Sequence, residues 1–152
     1  MKVSAILGSP RKTGTTTTLA TAFLDRMKKN GAETETFFLN KMKYKGCQGC
    51  QGCKVKSQFC VLQDDLTPVL SSLQESDILV FATPVYYWDV TGQFKLFFDR
   101  TWSLVKPDYK TNPDPVRIQK GKKAFFITSQ GDIAEKHGDV PEKYAGFLTM
   151  YG

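Results

Sequence analysis

The feature that most constrains the fold is a regular alternation of short apolar segments with longer amphipathic ones. Four amphipathic segments are expected to be helices. The first follows the loop after the first strand and ends at about residue 30, and the second runs from the Asp64–Asp65 pair to about residue 75. The third covers residues 92–104 and the fourth residues 142–150. The apolar segments have the length and the flanking turn residues of β-strands, and they cover residues 3–7, 34–39, 77–82 and 124–127. This β-α-β-α-β-α-β-α order predicts an α/β fold, with a parallel sheet that has helices on both faces.

The bulk properties of the chain fit one globular domain. We expect a single domain over residues 1–152, with a cysteine-rich loop at 46–61. No apolar run approaches the roughly 20 residues that a membrane span needs, and no signal peptide precedes the first strand, so a cytoplasmic location without membrane contact is expected. The net charge of +6 permits anionic partners, but Lys and Arg are spread along the chain, which disfavours nucleic acid.

The loop after the first strand has the composition of a phosphate site. A helix N-terminus carries partial positive charge and unpaired N–H donors, and Gly8 and Gly14 allow the backbone to come close to an anion. The spacing fits neither a P-loop nor a dinucleotide fingerprint, which favours a mononucleotide. A Ser/Thr-rich helix cap without a ligand is the alternative. The candidate phosphate contacts carry a hydroxyl or a guanidinium: Ser9, Arg11, Thr15, Thr16 and Thr17.

Two further loops follow predicted strand ends, where ligands of parallel sheets bind. The loop after the third strand has three adjacent aromatics, which suit the walls around a flat ring; a core or dimer-interface cluster is the alternative. The loop after the fourth strand could close the other side of the ring, or it could be an ordinary turn. The candidate ring contacts are Pro84, Val85, Tyr86, Tyr87 and Trp88 in one loop and Thr128, Ser129, Gln130 and Gly131 in the other.

The four cysteines, Cys47, Cys50, Cys53 and Cys60, have the spacing C-x2-C-x2-C-x6-C. Two successive three-residue steps followed by a more distant cysteine are close to the ferredoxin-type arrangement that binds a [4Fe–4S] cluster. Zinc sites more often combine a C-x2-C pair with a distant second pair. An iron-sulfur cluster is the preferred interpretation; structural zinc and free or redox-active thiols remain the alternatives. The segment has neither helical nor strand periodicity and is predicted to be a loop.

Taken together, these motifs resemble the NADPH-dependent FMN reductase family, and most closely its iron-sulfur flavoproteins. The resemblance rests on Gly8–Arg11 with Gly14–Thr16, on residues 83–87, on residues 95–100 and on the cysteine spacing. It implies a flavodoxin-like three-layer sandwich with strand order 2-1-3-4. It also implies that the first loop binds the FMN phosphate, that the second lies against the isoalloxazine, and that the third contacts the ring edge or the ribityl chain. The family usually has Asn at the position of Thr15.

The chain departs from the family pattern after its last predicted helix. A five-stranded flavodoxin-like sheet would need another strand after Gly152, so the fifth strand is expected to be missing. An exposed sheet edge favours association, and the resemblance also implies a homo-oligomer, either a dimer or a tetramer.

The preferred function is that of a redox flavoprotein, in which FMN exchanges electrons with a [4Fe–4S] cluster and with a small-molecule or ferredoxin-like partner. The first alternative is an NAD(P)H-dependent FMN or quinone reductase without a cluster. The second is a non-enzymatic module that binds a phosphate ligand and structural zinc. No catalytic side chain is predicted, because in a flavoenzyme the cofactor carries the chemistry. His137 is expected to be exposed, and Asp64 and Asp65 are expected to cap a helix.

Overall fold

The computed structural model describes residues 1–151 and contains one twisted sheet. Four strands are parallel in the order β2-β1-β3-β5, and β4 pairs antiparallel with the end of β3. The predicted α/β class and the order 2-1-3-4 are confirmed, with β5 as the fourth parallel strand. The strands are β1 (Lys2–Leu7), β2 (Glu33–Phe38), β3 (Ile78–Tyr86), β4 (Asp89–Val90) and β5 (Lys123–Ser129).

Helices cover both faces of this sheet. Side chains of β1 and β3 alternate between the faces: Ala5 and Val80 pack in the core beneath the first helix, whereas Ile6 and Phe81 pack beneath the other helices. None of the helices within residues 1–151 is long and apolar enough to cross a membrane. The helices are α1 (Thr15–Lys29), α2 (Gly52–Val55), α3 (Leu66–Glu75), α4 (Gly92–Arg100) and α5 (Asp139–Met150).

The predicted helix over 92–104 is divided in the structure. Its first part is α4, and its last turn is the 3-10 helix Thr101–Leu104. Thr91 caps α4 by accepting a hydrogen bond from the Phe94 N–H. Phe94 and Phe97 are fully buried, as the spacing of the apolar residues predicts.

Three loop predictions need correction. The segment 47–60 was predicted to be a loop throughout, but it contains the single helical turn α2. β3 continues to Tyr86 and β5 to Ser129, so parts of the two predicted strand-end loops are strand. The cause is long-range pairing: the ladder between β3 and β5 extends to the pair Pro84↔Ser129, and β4 adds hydrogen bonds to the end of β3.

Candidate functional site

The three predicted ligand segments meet at one edge of the sheet. Leu7 lies opposite Ala82 in the parallel ladder, and Ala82 lies opposite Ile127. Just after the end of β1, the Gly8 N–H donates to the Ala82 carbonyl at 2.7 Å. The Gly8 carbonyl accepts from Thr91 Oγ1 at 2.8 Å and from Gln93 Nε2 at 2.7 Å. The loop after β1 is therefore fastened to β3 and to the start of α4.

The phosphate loop, residues 8–17, leads directly into the N-terminus of α1. Gly14 is the N-cap residue and provides no side-chain cap, so the first-turn N–H groups of this 15-residue helix lack an acceptor on the cap. Ser9 is buried, and its hydroxyl bonds both the N–H and the carbonyl of Arg11 at 3.2 Å. Thr17 Oγ1 donates to the same carbonyl at 3.0 Å. Ser9 and Thr17 thus brace the loop, while the side chains of Arg11 and Thr15 are exposed.

Gly8 is required by close packing at this edge. A Cβ atom there would lie 2.8 Å from Phe94 Cβ and 3.1 Å from Thr83 Cβ. We expect Gly8→Ala to lower the free energy of unfolding by about 1 to 3 kcal/mol, because overpacking displaces the buried Phe94. Urea unfolding monitored by circular dichroism measures the effect.

Gly146→Ala is the matched control for this substitution. Gly146 lies within α5, and a Cβ there meets nothing within 4 Å. Alanine is the better helix former, so this variant should keep or raise stability by about 0.5 to 1 kcal/mol. Equal stability of the two variants would contradict the packing role of Gly8.

The third segment, residues 128–131, is joined to the phosphate loop by a hydroxyl pair. Thr16 Oγ1 and Ser129 Oγ are 2.5 Å apart. Thr128 lies opposite Thr83 in the ladder, so the third segment is in direct register with β3. The side chain of Gln130 bonds the Ile133 carbonyl and orders the following turn, while Gly131 is exposed.

The aromatic segment forms a tight hairpin, which we call the aromatic hairpin (residues 83–91). Tyr86 pairs with Asp89, and the two residues between them, Tyr87 and Trp88, have φ values of 48° and 65°. Positive φ at both central positions is the geometry of a type I′ turn, which Asn and Gly favour and which bulky residues rarely adopt. Tyr87 is 93% exposed and Trp88 is 62% exposed. Two aromatic rings are therefore held out into solvent at a strained turn beside the phosphate loop.

His137 lies against this hairpin, so its predicted exposure is wrong. Its ring centroid is 6.1 Å from that of Trp88 at 78°, and the side chain is half-buried. Within residues 1–151, His137 Nδ1 is a buried atom without a hydrogen-bond partner. The turn after β5 brings the residue here, and no local pattern in the sequence indicates this contact.

The cysteine loop, residues 46–61, contacts the C-terminal end of α4 through Arg100. All four cysteines line one small cavity, together with Arg100 and Trp102. Cys47 and Cys50 are exposed, Cys53 is buried and Cys60 is half-buried. In the described part of the chain, no three Cys, His, Asp or Glu side chains are grouped closely enough to hold a single metal ion.

Two cationic side chains, Lys54 and Arg117, form hydrogen bonds between the cysteine loop and the segment that follows α4. Lys54 Nζ lies 4.1 Å from the Trp102 ring centroid and donates to the carbonyls of Trp102 and Val105. Arg117 donates to the Cys53 carbonyl at 2.9 Å and to the Ser103 carbonyl at 2.7 Å. These positive charges lie close to Cys53, and they would offset part of the negative charge that thiolate ligands carry.

The C-terminal residue of α4 contributes a third cation. Arg100 is buried and forms an ion pair with Asp64 at 2.8 Å. Burial by itself would raise the pKa of Asp64, but hydrogen bonds from Arg100, Lys45 N–H and Leu66 N–H outweigh it, so this pKa lies below its usual range. Asp64 does bond the first turn of α3, as predicted, whereas Asp65 accepts from Lys43 N–H instead.

Sequence reasoning assigned no role to Lys54, Arg100 or Arg117. Arg100 had one local signal, since it lies three residues after the buried Phe97, where an amphipathic helix normally carries an apolar side chain. Arg117 lies in a polar connection, and only the fold brings it to the cysteine loop.

Comparisons with known proteins agree with this architecture. The family model that describes NADPH-dependent FMN reductases matches residues 1–137. An iron-sulfur flavoprotein of Archaeoglobus fulgidus is 40% identical over 149 residues, which are 98% of this chain and 61% of that protein. An iron-sulfur flavoprotein of Methanocaldococcus jannaschii is 34% identical over 132 residues, 87% of this chain and 63% of that protein. The chain thus spans just under two thirds of these relatives.

One solved structure has the same fold and a bound flavin. It is an FMN-dependent NADH-azoreductase of Bacillus anthracis in complex with FMN, with a TM-score of 0.70 and 14% identity. The match covers 100% of this chain and 82% of that one. At this identity the likeness shows a shared fold.

Proposed function

Because the chain belongs to the NADPH-dependent FMN reductase family, we propose that it is an FMN-dependent oxidoreductase that also carries a [4Fe–4S] cluster. The observation that carries the FMN assignment is the convergence of three segments at one sheet edge. The phosphate loop offers a helix N-terminus without a side-chain cap, and the aromatic hairpin beside it offers two exposed rings. A flavin mononucleotide has the matching parts, namely one phosphate and one flat ring system.

The residues present fit FMN in chemical terms. The α1 N-terminus and the exposed Arg11 and Thr15 would hold the phosphate, and Thr16 with Ser129 would face the ribityl chain. Tyr87 and Trp88 would wall the ring and exclude water from one side. When bound, FMN supplies the electron-accepting and electron-donating chemistry, while the protein supplies binding and orientation.

Three observations support the cluster. The cysteine spacing is of the ferredoxin type, all four cysteines line one cavity, and cations lie against the loop. The two curated relatives carry the name iron-sulfur flavoprotein. The sequence spacing also favours a cluster over zinc, because zinc sites more often combine a C-x2-C pair with a distant second pair.

Helix α4 connects the two proposed cofactor sites. Residues at its start bond the Gly8 carbonyl, and Arg100 at its end bonds Cys60. Nine helical residues span about 13 Å at 1.5 Å each. We therefore propose electron exchange between flavin and cluster, with NAD(P)H as a candidate donor and a small molecule or a ferredoxin-like protein as the external partner.

A purification without oxygen tests this proposal. Flavin absorption together with iron and sulfide in equal amounts, about four of each per chain, would support it. Flavin without iron would favour the reductase that lacks a cluster. Zinc in the absence of flavin would contradict both and leave the non-enzymatic module.

Arg11→Ala should weaken FMN binding roughly 10- to 100-fold, the scale of one lost charged hydrogen bond. Flavin fluorescence quenching in a titration measures the dissociation constant. Arg26→Ala is the control, because Arg26 lies in the last turn of α1, at the opposite end of that helix from the phosphate loop. An Arg11 variant that binds FMN like the Arg26 variant would contradict the phosphate assignment.

We also propose that the protein forms a homo-oligomer. Leu96 on α4 and Phe147 and Met150 on α5 are exposed apolar side chains that would suit a subunit contact. Light scattering at micromolar concentration tests this, and a monomer there would contradict it.

A further inference from the structure

We infer that Arg100 is a positioning residue: it holds the Cys60 side chain in place as the fourth cluster ligand, and it joins the two ends of the cysteine loop. The inference rests on the proposed function, because it concerns the assembly of the proposed cluster. Its basis is a set of contacts that no sequence motif indicates.

The guanidinium of Arg100 bonds both ends of the loop at once. Nη1 donates to the Lys45 carbonyl at 2.8 Å, just before the first cysteine. Nη2 donates to the Leu62 carbonyl at 3.1 Å, just after the last one. Nε donates to Cys60 Sγ at 3.0 Å. One side chain therefore joins the two ends of the cysteine loop and also contacts Cys60, a predicted cluster ligand.

Asp64 holds the guanidinium in this orientation. Its two carboxylate oxygens accept from Nη1 at 2.8 Å and from Nη2 at 3.2 Å, which is a bidentate pair. The Arg100 side chain is 0% exposed and the Asp64 side chain 16%. Because these contacts use a rigid, planar set of donors, a lysine with one ammonium group could not make them all.

Cys60 is the ligand that most needs such support. The other three cysteines follow each other at three-residue steps, so the short connections keep them close, whereas six residues separate Cys53 from Cys60. Among the described residues, Cys60 is the cysteine whose sulfur accepts a side-chain hydrogen bond. Hydrogen bonds to the sulfurs also set the reduction potential of a cluster, and this one would raise it by stabilising the more negative reduced form.

The experiment compares Arg100→Lys and Arg100→Gln with the wild type after anaerobic reconstitution with iron and sulfide. We expect both variants to release iron to a chelator about 10- to 100-fold faster, which matches the 10- to 100-fold loss of metal affinity that usually follows removal of a contact behind a metal ligand. The midpoint potential of the remaining cluster should fall, and the FMN content should not change. Lys95→Ala is the control, since it removes an exposed ion pair, with Asp99, from the same helix.

A single variant could leave Asp64 as a half-buried carboxylate without its cationic partner and fail to fold. The double variant Arg100→Gln/Asp64→Asn avoids this by keeping a neutral, hydrogen-bonding pair. A second measurement needs no substitution: with 15N-labelled arginine in the wild type, pulsed electron paramagnetic resonance of the reduced cluster should show a nitrogen coupling from Nε.

The outcomes separate this inference from the proposed function. A wild type that takes up no iron and sulfide contradicts the proposed cluster itself. A wild type with a full cluster, together with folded Arg100 variants that match its iron release and potential, overturns the role of Arg100. The absence of an arginine nitrogen coupling in the loaded wild type also overturns it, whatever the variants do.

Discussion

Cys50→Ala is expected to remove the iron and sulfide from the protein while FMN remains bound. Cys50 is exposed, so its thiol contributes little to the packing of the fold. Loss of a direct ligand should exceed the roughly 10- to 100-fold loss of affinity that follows removal of an outer-shell partner. We therefore expect at least a ten-fold fall in iron and sulfide per chain.

The FMN content should be independent of this change because the two sites use different elements. The phosphate loop follows β1 and the aromatic hairpin is formed by the end of β3 and by β4, whereas the cysteine loop precedes α3 and contacts the far end of α4. Iron, acid-labile sulfide and flavin, each measured per chain in an anaerobic preparation, give the answer.

Lys56→Ala is a suitable control for this loop. Lys56 is exposed and lies between Cys53 and Cys60, so the variant tests whether any substitution in the loop disturbs assembly. Full iron and sulfide in Cys50→Ala would show that Cys50 is not a ligand. Loss of flavin together with iron would show that the two sites depend on each other.

Periodic, local features of the sequence were sufficient to predict the parallel sheet, whereas its strand order was implied by the resemblance to the FMN reductase family. Val80 and Phe81 lie in a continuous apolar run because β3 is covered on both faces, and such a run is visible without a structure. The phosphate loop was equally visible, since Gly8 and the threonines precede a clear amphipathic helix. Both signals come from neighbouring residues and need no knowledge of distant contacts.

The features that sequence reasoning missed depend on contacts between distant residues. Arg100 meets Cys60 and Asp64 only after α4 has packed beside the cysteine loop, 36 or more positions away along the chain. The extension of β3 to Tyr86 depends on pairing with β4 and β5. His137 similarly reaches Trp88 from a separate loop. Such contacts leave no periodicity in the sequence.

The second large prediction concerns the aromatic hairpin, because the two residues at its turn are types that rarely adopt the positive φ angles that the turn has. Left-handed φ is unfavourable by roughly 1 to 2 kcal/mol for a residue with a Cβ atom, and Tyr87 and Trp88 both adopt it. Asn-Gly is the sequence that a type I′ turn prefers. Strained residues are often found at functional sites, where their side chains are needed. In this turn, the side chains in question would be the two exposed rings.

Tyr87→Asn/Trp88→Gly is expected to make the protein more stable and a weaker flavin binder. Relief of the two strained φ angles is partly offset by loss of the Tyr87–Trp88 and Trp88–His137 ring contacts, each about 0.5 to 1.5 kcal/mol. The net gain in the free energy of unfolding should be about 1 kcal/mol, measured without FMN by urea denaturation. FMN affinity should fall roughly ten-fold or more, because two aromatic walls are removed.

Tyr87→Phe/Trp88→Phe separates the two effects. It keeps both rings and both strained φ angles, so it should bind FMN nearly as the wild type does and gain no stability. An Asn-Gly variant that binds FMN with unchanged affinity would exclude the hairpin as a wall of the flavin site. An Asn-Gly variant less stable than the wild type would instead mean that ring packing, rather than backbone strain, dominates the energy of this turn.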